Sequence, residues 1–407
     1  MRLNKTQCLE KLFYATIAVY FFLSAMTLTM AVEIAKVDKF ATFTRYACYA
    51  LMVMIIIGNV ISFKKDNFLK HFISDCVNYV RTHVMLVITL VTTFMIFLQT
   101  KERLPIIMML LIWTCSFYDF KKIAKLYLYA SMMLMLITWV LTIMGVVQDI
   151  SMWRDDILRH SLGYVYPLET MTHLLFMTIC YIFIKGKEFD FKDYIVVNMM
   201  GILLYVVTDA RTSFYLLVLA STVALICAKI KLEIILKWVF PYFGYLILIF
   251  CTILSVGGAI VYDRGYELIT KLDVLFSNRF RMMNEAFDKY GFTWFGEKIE
   301  WVGYGGLIDP VASTAGKYNF VDCSYGKVLL DYGIVFFVLV LIGYAVIYHT
   351  ASKEHDYALI IAISVVLVVS VMEPRLVSIE MNPFVLLLGR FFLKSNPTTL
   401  RKKEKAA

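Results

Sequence analysis

The stretch Leu126–Val147, LYLYASMMLMLITWVLTIMGVV, contains no charged residue and follows directly on Lys121, Lys122 and Lys125. A helix needs about 20 predominantly apolar residues to cross the hydrocarbon core of a bilayer, with a working range of roughly 17–25. This stretch meets that length and carries cations at one end only. Comparable runs occur at 12–32, 43–62, 84–100, 105–120, 163–184, 194–209, 212–229, 238–262, 327–349, 357–372 and 376–393. Together they predict an all-α polytopic membrane protein with about twelve transmembrane helices. The fourth, seventh and eleventh runs are short, which leaves room for a re-entrant segment.

Composition agrees. The chain is 60% hydrophobic and 17% charged, against about 45–50% and about 25% for an ordinary soluble domain. The excess apolar surface has to face lipid. The net charge of +9 does not indicate nucleic acid, because the basic residues cluster in short loops between apolar runs. With the N-terminus inside, the cytoplasmic segments hold 22 Lys and Arg and the short external loops nine. That asymmetry sets the N-terminus and C-terminus in the cytoplasm. It leaves one large external loop, 263–326, within a single transmembrane unit of residues 1–407, and a basic cytoplasmic tail at 394–407. The first run lacks a small-residue cleavage pattern and reads as a retained helix. Eight cysteines give no disulfide framework: five lie in apolar runs, Cys8 and Cys76 fall on the cytoplasmic side, and only Cys323 is external. No C-x-x-C spacing or other metal-ligand pattern is present, and neither a metal nor a cofactor is expected.

The chemistry-bearing residues gather on the external side. Arg159 and His160 precede the sixth span. Asp209 and Arg211 occupy a turn of a few residues between spans seven and eight. Charge so close to hydrocarbon is costly. Arg211 therefore either pairs locally with Asp209 or faces a cavity as an anion-binding group, for which its planar fork is suited. In the large loop, Arg264–Tyr290 has Leu268, Leu272, Leu275, Phe276, Phe280, Met283 and Phe287 at spacings of three and four, the pattern of an amphipathic helix. Asn278 and Arg279 interrupt it. If the apolar stripe packs on the bundle, Arg279 points to the bundle mouth; the alternative is an arginine snorkelling from an interfacial helix. Beyond Gly291 the loop turns irregular, with Gly296, Gly303, Gly305, Gly306 and Pro310 marking turns. Trp294, Trp301 and Tyr304 offer flat surfaces for sugar rings or anchors at the lipid interface. Asp322 and Tyr325 stand at the mouth of the bundle. Asp331 lies within a span and needs a partner or a wet cavity. Glu373 ends the eleventh span. His160 is the external histidine outside a span, whereas His173 lies within one.

Five of these segments, in order, resemble the Wzy-type repeat-unit polymerases of bacterial polysaccharides, within the O-antigen polymerase and ligase group. Arg159-His160-Ser161-Leu162-Gly163-Tyr164-Val165-Tyr166-Pro167 resembles the family's Arg…Leu-Gly-aromatic…Pro entry to a span. Asp209-Ala210-Arg211-Thr212-Ser213 resembles its Ser-Arg-Thr/Ser turn, with Ala210 where serine is common. Asn278-Arg279-Phe280…Trp294-Phe295-Gly296, continuing to Gly303-Tyr304-Gly305, resembles the Arg-bearing helix and Gly-rich turn, at longer spacing. Asp322-Cys323-Ser324-Tyr325…Asp331-Tyr332-Gly333 resembles Asp-Asn-Ser-Tyr…Tyr-Gly, with Cys323 in the Asn place. Glu373…Asn382-Pro383 resembles the Glu…Asn-Pro near the last span. The resemblance covers residues 150–393; the first five spans match only as membrane helices.

The resemblance implies polymerisation of undecaprenyl-pyrophosphate-linked repeat units at the outer face of a bacterial cell membrane, by attack of an acceptor hydroxyl on the anomeric carbon of the donor. It implies Arg159, Arg211 and Arg279 for the pyrophosphate, with Arg281, Arg375, Tyr325 and Trp301 as further substrate contacts. Asp322, Glu373 and His160, in that order, are the candidate bases. Partners implied are lipid-linked glycans, the bilayer, a chain-length regulator and a flippase, and no nucleic acid. Two other readings stay open: a ligase of the same group, and a lipid-linked sugar flippase or transporter, which needs charges near the midplane. A structural role in an assembly complex predicts dispensable arginines. The topology is checked with phosphatase insertions: one within 263–326 is expected to be active, and one after Lys394 inactive. The reverse pattern overturns the orientation.

Overall fold

The computed structural model describes residues 5–62, 84–154, 156–229, 233–303 and 319–392. The helices are α1 (Lys5–Ala25), α2 (Ala35–Ser62), α3 (Val84–Thr100), α4 (Leu104–Cys115), α5 (Phe120–Ile143), α6 (Pro167–Lys185), α7 (Phe191–Thr208), α8 (Arg211–Lys229), α9 (Glu233–Thr252), α10 (Glu267–Leu275), α11 (Arg279–Tyr290), α12 (Ser324–Lys353) and α13 (Tyr357–Val369). Among the described residues, eight helices are long and apolar enough to cross a membrane, and α3, α4 and α13 are apolar but shorter. The tail 394–407, and Tyr304, Gly305, Gly306 and Pro310, lie outside the described residues.

Helices α6 and α13 form the centre. Every residue of α6 from Thr170 to Cys180 is buried, as is most of α13. A helix that is apolar all round belongs inside a bundle. The periphery shows the opposite: Leu203, Val206, Leu219, Leu246, Phe250 and Ile253 are exposed. Such a belt on a helical protein is the surface that lipid covers. The helix α9 continues to Ile260 through a π-helical turn at Ile253–Gly257.

The expected twelfth span, 376–393, is not a membrane-crossing helix over its described residues, 376–392. It is a buried chain of turns followed by a 3₁₀ segment, Pro383–Leu388, and a single turn, Gly389–Phe392. Irregular backbone at such depth survives only where protein groups satisfy it. Here the Asn382 amide donates to the Leu376 carbonyl at 3.0 Å, and the Tyr344 hydroxyl to the same oxygen at 2.7 Å. The Tyr127 hydroxyl donates to the Met381 carbonyl. The run is apolar because it is core.

A second difference lies between residues 151 and 160, where a short antiparallel hairpin forms. Strand β1 (Ser151–Arg154) pairs with β2 (Ile157–His160), Met152 opposite Arg159. The expected single helix over 264–290 is two, α10 and α11. Ser277 and Asn278 both have left-handed backbone (φ 56° and 61°), which ends the first helix where the periodicity broke. The apolar stripe divides with them. Phe280, Met283 and Phe287 of α11 pack inward, but Leu268 and Leu275 of α10 are exposed.

The segment that follows α11 is fastened to the bundle at a break in α12. Gly333 has φ 81° and ψ 174°, a region essentially confined to glycine. The break frees two amides, which the loop accepts: Ile334 donates to the Thr293 carbonyl at 2.9 Å and Val335 to Trp294 at 3.3 Å. In return the Glu297 amide donates to the Leu330 carbonyl at 3.1 Å. The backbones meet so closely that a Cβ on Gly333 would lie 2.4 Å from the Gly296 nitrogen, and one on Gly296 2.1 Å from the Asp331 oxygen. Asp331 has its partners there: the Trp301 Nε1 donates to it at 2.7 Å and Lys327 Nζ lies 3.4 Å away. Gly333→Ala is expected to lose about 1–3 kcal/mol from backbone strain, with added steric cost, read as a fall in Tm in detergent. An unchanged Tm contradicts the docking.

Candidate functional site

The loops at one end of the bundle enclose a cavity of about 690 Å³. Arg154 and Arg159 reach it from the hairpin, Arg211 from the α7–α8 turn, Arg279 from the start of α11 and Glu373 from the segment after α13. Four cations and one carboxyl group, from parts of the chain more than 200 residues apart in sequence, thus share one chamber. Tyr166, Trp153, Met152, Leu168 and Met372 complete its apolar wall.

Arg159 and Arg279 are held by carbonyls at or beyond helix ends, and Arg154 and Arg211 by the Asp209 carboxylate. The last carbonyls of an α-helix have no partner within it and carry partial negative charge. Arg159 Nε donates to the Thr208 carbonyl, the last of α7, at 2.7 Å, and its guanidinium lies 5.8 Å from the Tyr166 ring centroid. Asp209 follows in left-handed backbone (φ 46°). Its buried carboxylate accepts from Arg211 Nε at 3.1 Å and lies 3.6 Å from Arg154 Nη1. The local Asp209–Arg211 pair and the cavity-facing arginine, alternatives in the sequence, are both present. Arg279 Nε donates to the Met372 carbonyl at 2.9 Å and Nη1 to the Phe276 carbonyl at 3.1 Å, and Asp322 lies 3.7 Å from its Nη2.

Glu373 is 5% exposed and lies beyond the end of α13. Its backbone is fixed by the Ser324 hydroxyl, which donates to the Glu373 carbonyl at 2.6 Å and accepts from the Leu376 amide at 3.0 Å. Burial pushes its carboxyl up to about 8, with Asp322 and Glu169 adding to the rise while Arg375 and Arg279 oppose it. Asp322 is also raised by burial, against the pull of Arg279, Arg375 and Lys327.

Of the ten residues expected at the site, Arg159, Arg211, Arg279 and Glu373 meet at the cavity, and Asp322 joins through Arg279. The other five do not line it. His160 turns to Asp149, with Nδ1 and Oδ2 2.6 Å apart. Tyr325 is fully buried, its hydroxyl donating to the Leu367 carbonyl at 3.0 Å. Arg281 sits on the exposed side of α11, 3.8 Å from Glu285. Trp301 is engaged by Asp331, with Lys327 4.3 Å from its ring centroid. Arg375 is buried in an ion pair with Glu169. Arg154, in the charged stretch before the sixth span, lines the cavity as well. Its signal is the pair of four-residue runs, 151–154 and 157–160, with Asp155 and Asp156 between them in the sequence, which brings Arg154 and Arg159 to one hairpin.

Searches of protein-family models, of characterised proteins and of solved structures find no match to this chain.

The Glu373 carboxyl is expected to show a protonated C=O infrared band at neutral pH that disappears as pH rises through about 8 and is missing in Glu373→Gln. A band titrating at the ordinary value of roughly 4.3 contradicts the burial argument.

Proposed function

We propose that the chain is a membrane glycosyltransferase that polymerises lipid-pyrophosphate-linked oligosaccharide repeat units at the outer face of a bacterial cell membrane. The observation that carries this reading is the shared cavity of Arg154, Arg159, Arg211, Arg279 and Glu373. Phosphate oxygens match the bidentate fork of arginine, and a diphosphate bound to a lipid needs such cations at the end of a membrane bundle. The resemblance of the Arg159, Arg211, Arg279, Asp322 and Glu373 segments to Wzy-type polymerases supports the same reading, since the expected cations converge.

In this mechanism the arginines hold the donor's pyrophosphate. The acceptor's sugar hydroxyl attacks the anomeric carbon, the bond from that carbon to the pyrophosphate oxygen breaks, and the lipid pyrophosphate leaves with both bonding electrons. Preorganised cations stabilise the charge that develops on it. The acceptor's proton passes to Glu373, the carboxyl in the cavity wall. With its pKa raised to about 8, only about a tenth of Glu373 is ionised at pH 7. Transfer therefore speeds up as pH rises through about 8 and levels off about one unit above it. Asp322 serves Arg279 as its counter-ion.

Purified protein given a lipid-linked repeat unit is expected to yield a ladder of glycans. Arg211→Ala and Arg279→Ala are expected to slow transfer by about 10²–10³-fold each, with Arg→Lys variants impaired because lysine keeps the charge and loses the fork. Full-length polymer from both alanine variants overturns the site. Transport of the lipid across vesicles without a ladder overturns the reaction.

A further inference from the structure

Helix α10 presents its faces in an order opposite to that of a soluble helix. Its fully buried side chain is Asp273, 2% exposed, whose Oδ1 accepts from the backbone amides of Phe280 at 2.8 Å and Arg281 at 3.2 Å. Leu268, Leu272 and Leu275 are four and three residues apart and stand in one row. Leu268 and Leu275 are 68% and 72% exposed. The Glu267–Lys271 pair, 2.6 Å, flanks the row. Leu272, between Leu268 and Leu275, is half-buried, and two leucines so exposed beside an inward carboxylate favour an apolar cover over the row.

The chain limits what that is. The helix before α10 ends at Ile260, and its own outward residues Leu246, Ile249, Phe250 and Ile253 belong to the lipid-facing belt. Only residues 261–266 intervene, including a 3₁₀ turn at Tyr262–Arg264, a reach of under about 20 Å. The row therefore begins beside the end of a membrane-crossing helix. A second copy of the chain is a poor occupant. Three leucines over about 10 Å of helix fall well short of the roughly 800 Å² per partner of a specific interface.

We propose that α10 lies in the membrane interface, with Leu268, Leu272 and Leu275 seated among the acyl chains and the Glu267–Lys271 pair at the headgroups. Ser277 and Arg279, which line the arginine cavity, then stand at headgroup level, where the diphosphate of a membrane lipid resides. The interfacial placement does not depend on the polymerase reading.

The test uses nitroxide labels on Leu268→Cys, Leu275→Cys and Lys271→Cys in a chain carrying Cys8→Ser, Cys76→Ser and Cys227→Ser, in phosphatidylcholine–phosphatidylglycerol vesicles. Labels at 268 and 275 are expected to collide several-fold more with oxygen, relative to a water-soluble nickel chelate, than the label at 271. Equal nickel accessibility at all three overturns the proposal. So does loss of both kinds of collision at 268 and 275 on raising the protein-to-lipid ratio, which assigns the row to a second copy. The unaltered chain gives a second reading with lipids carrying a diazirine on the acyl chain. Adducts are expected within 267–276 as well as within 246–253. Adducts confined to the latter overturn the placement.

Discussion

An arginine at the end of an apolar bundle must be given acceptors, and in this protein the ends of helices supply them. The Thr208 carbonyl closes α7 and receives Arg159. The Met372 carbonyl, just past α13, receives Arg279. Asp209, caught in left-handed backbone at the end of α7, draws Arg154 and Arg211 together. The Thr208 carbonyl has unfilled hydrogen-bonding capacity and negative partial charge because a helix has stopped there, and Asp209 adds a full charge beside it. Where helix ends meet, cations can be concentrated without each needing a carboxylate. The cavity inherits an excess of positive charge, which is the basis for the diphosphate ligand we propose.

The same rule governs the irregular backbone. At Gly333 the freed amides of α12 are taken up by the loop at 293–297, so the break that interrupts a long helix also ties down that loop. In the segment 376–388, Asn382, Tyr344 and Tyr127 satisfy carbonyls that would otherwise be orphaned in the core. Ser324 clips Glu373 to the start of α12. The clip of Ser324 on Glu373 contributes a fixed position in the cavity wall. Rigid elements hold a site more closely than free loops do.

Much of this is legible in the sequence, and the illegible parts have identifiable causes. Length and apolarity alone mark the helices that cross the bundle, and left-handed backbone at Ser277 and Asn278 lies where the periodicity faltered. Arg159, Arg211 and Arg279 stand out as cations pinned beside apolar runs. The last apolar run misleads because apolarity reports burial, not helicity. Its true state depends on Tyr127 and Tyr344, both distant in sequence. The row Leu268–Leu272–Leu275 has the same spacing whether it faces core or lipid, so its outward direction is not encoded in the period. Tyr325 and Trp301 read as binding groups because their partners, the Leu367 carbonyl and Asp331, are fixed only by the fold. Glu373 and Asp322 look alike as carboxylates at helix ends. Only the packing puts one in the cavity wall and the other behind Arg279.

We propose the arginine cavity as a diphosphate site. The direct measurement is equilibrium binding of polyprenyl pyrophosphate and polyprenyl monophosphate to the protein in lipid nanodiscs, repeated with Arg159→Ala and Arg279→Ala. Tighter binding of the diphosphate, with that preference lost in both variants, is the predicted result. Equal affinity for the two lipids, or a preference unaffected by either substitution, would contradict it.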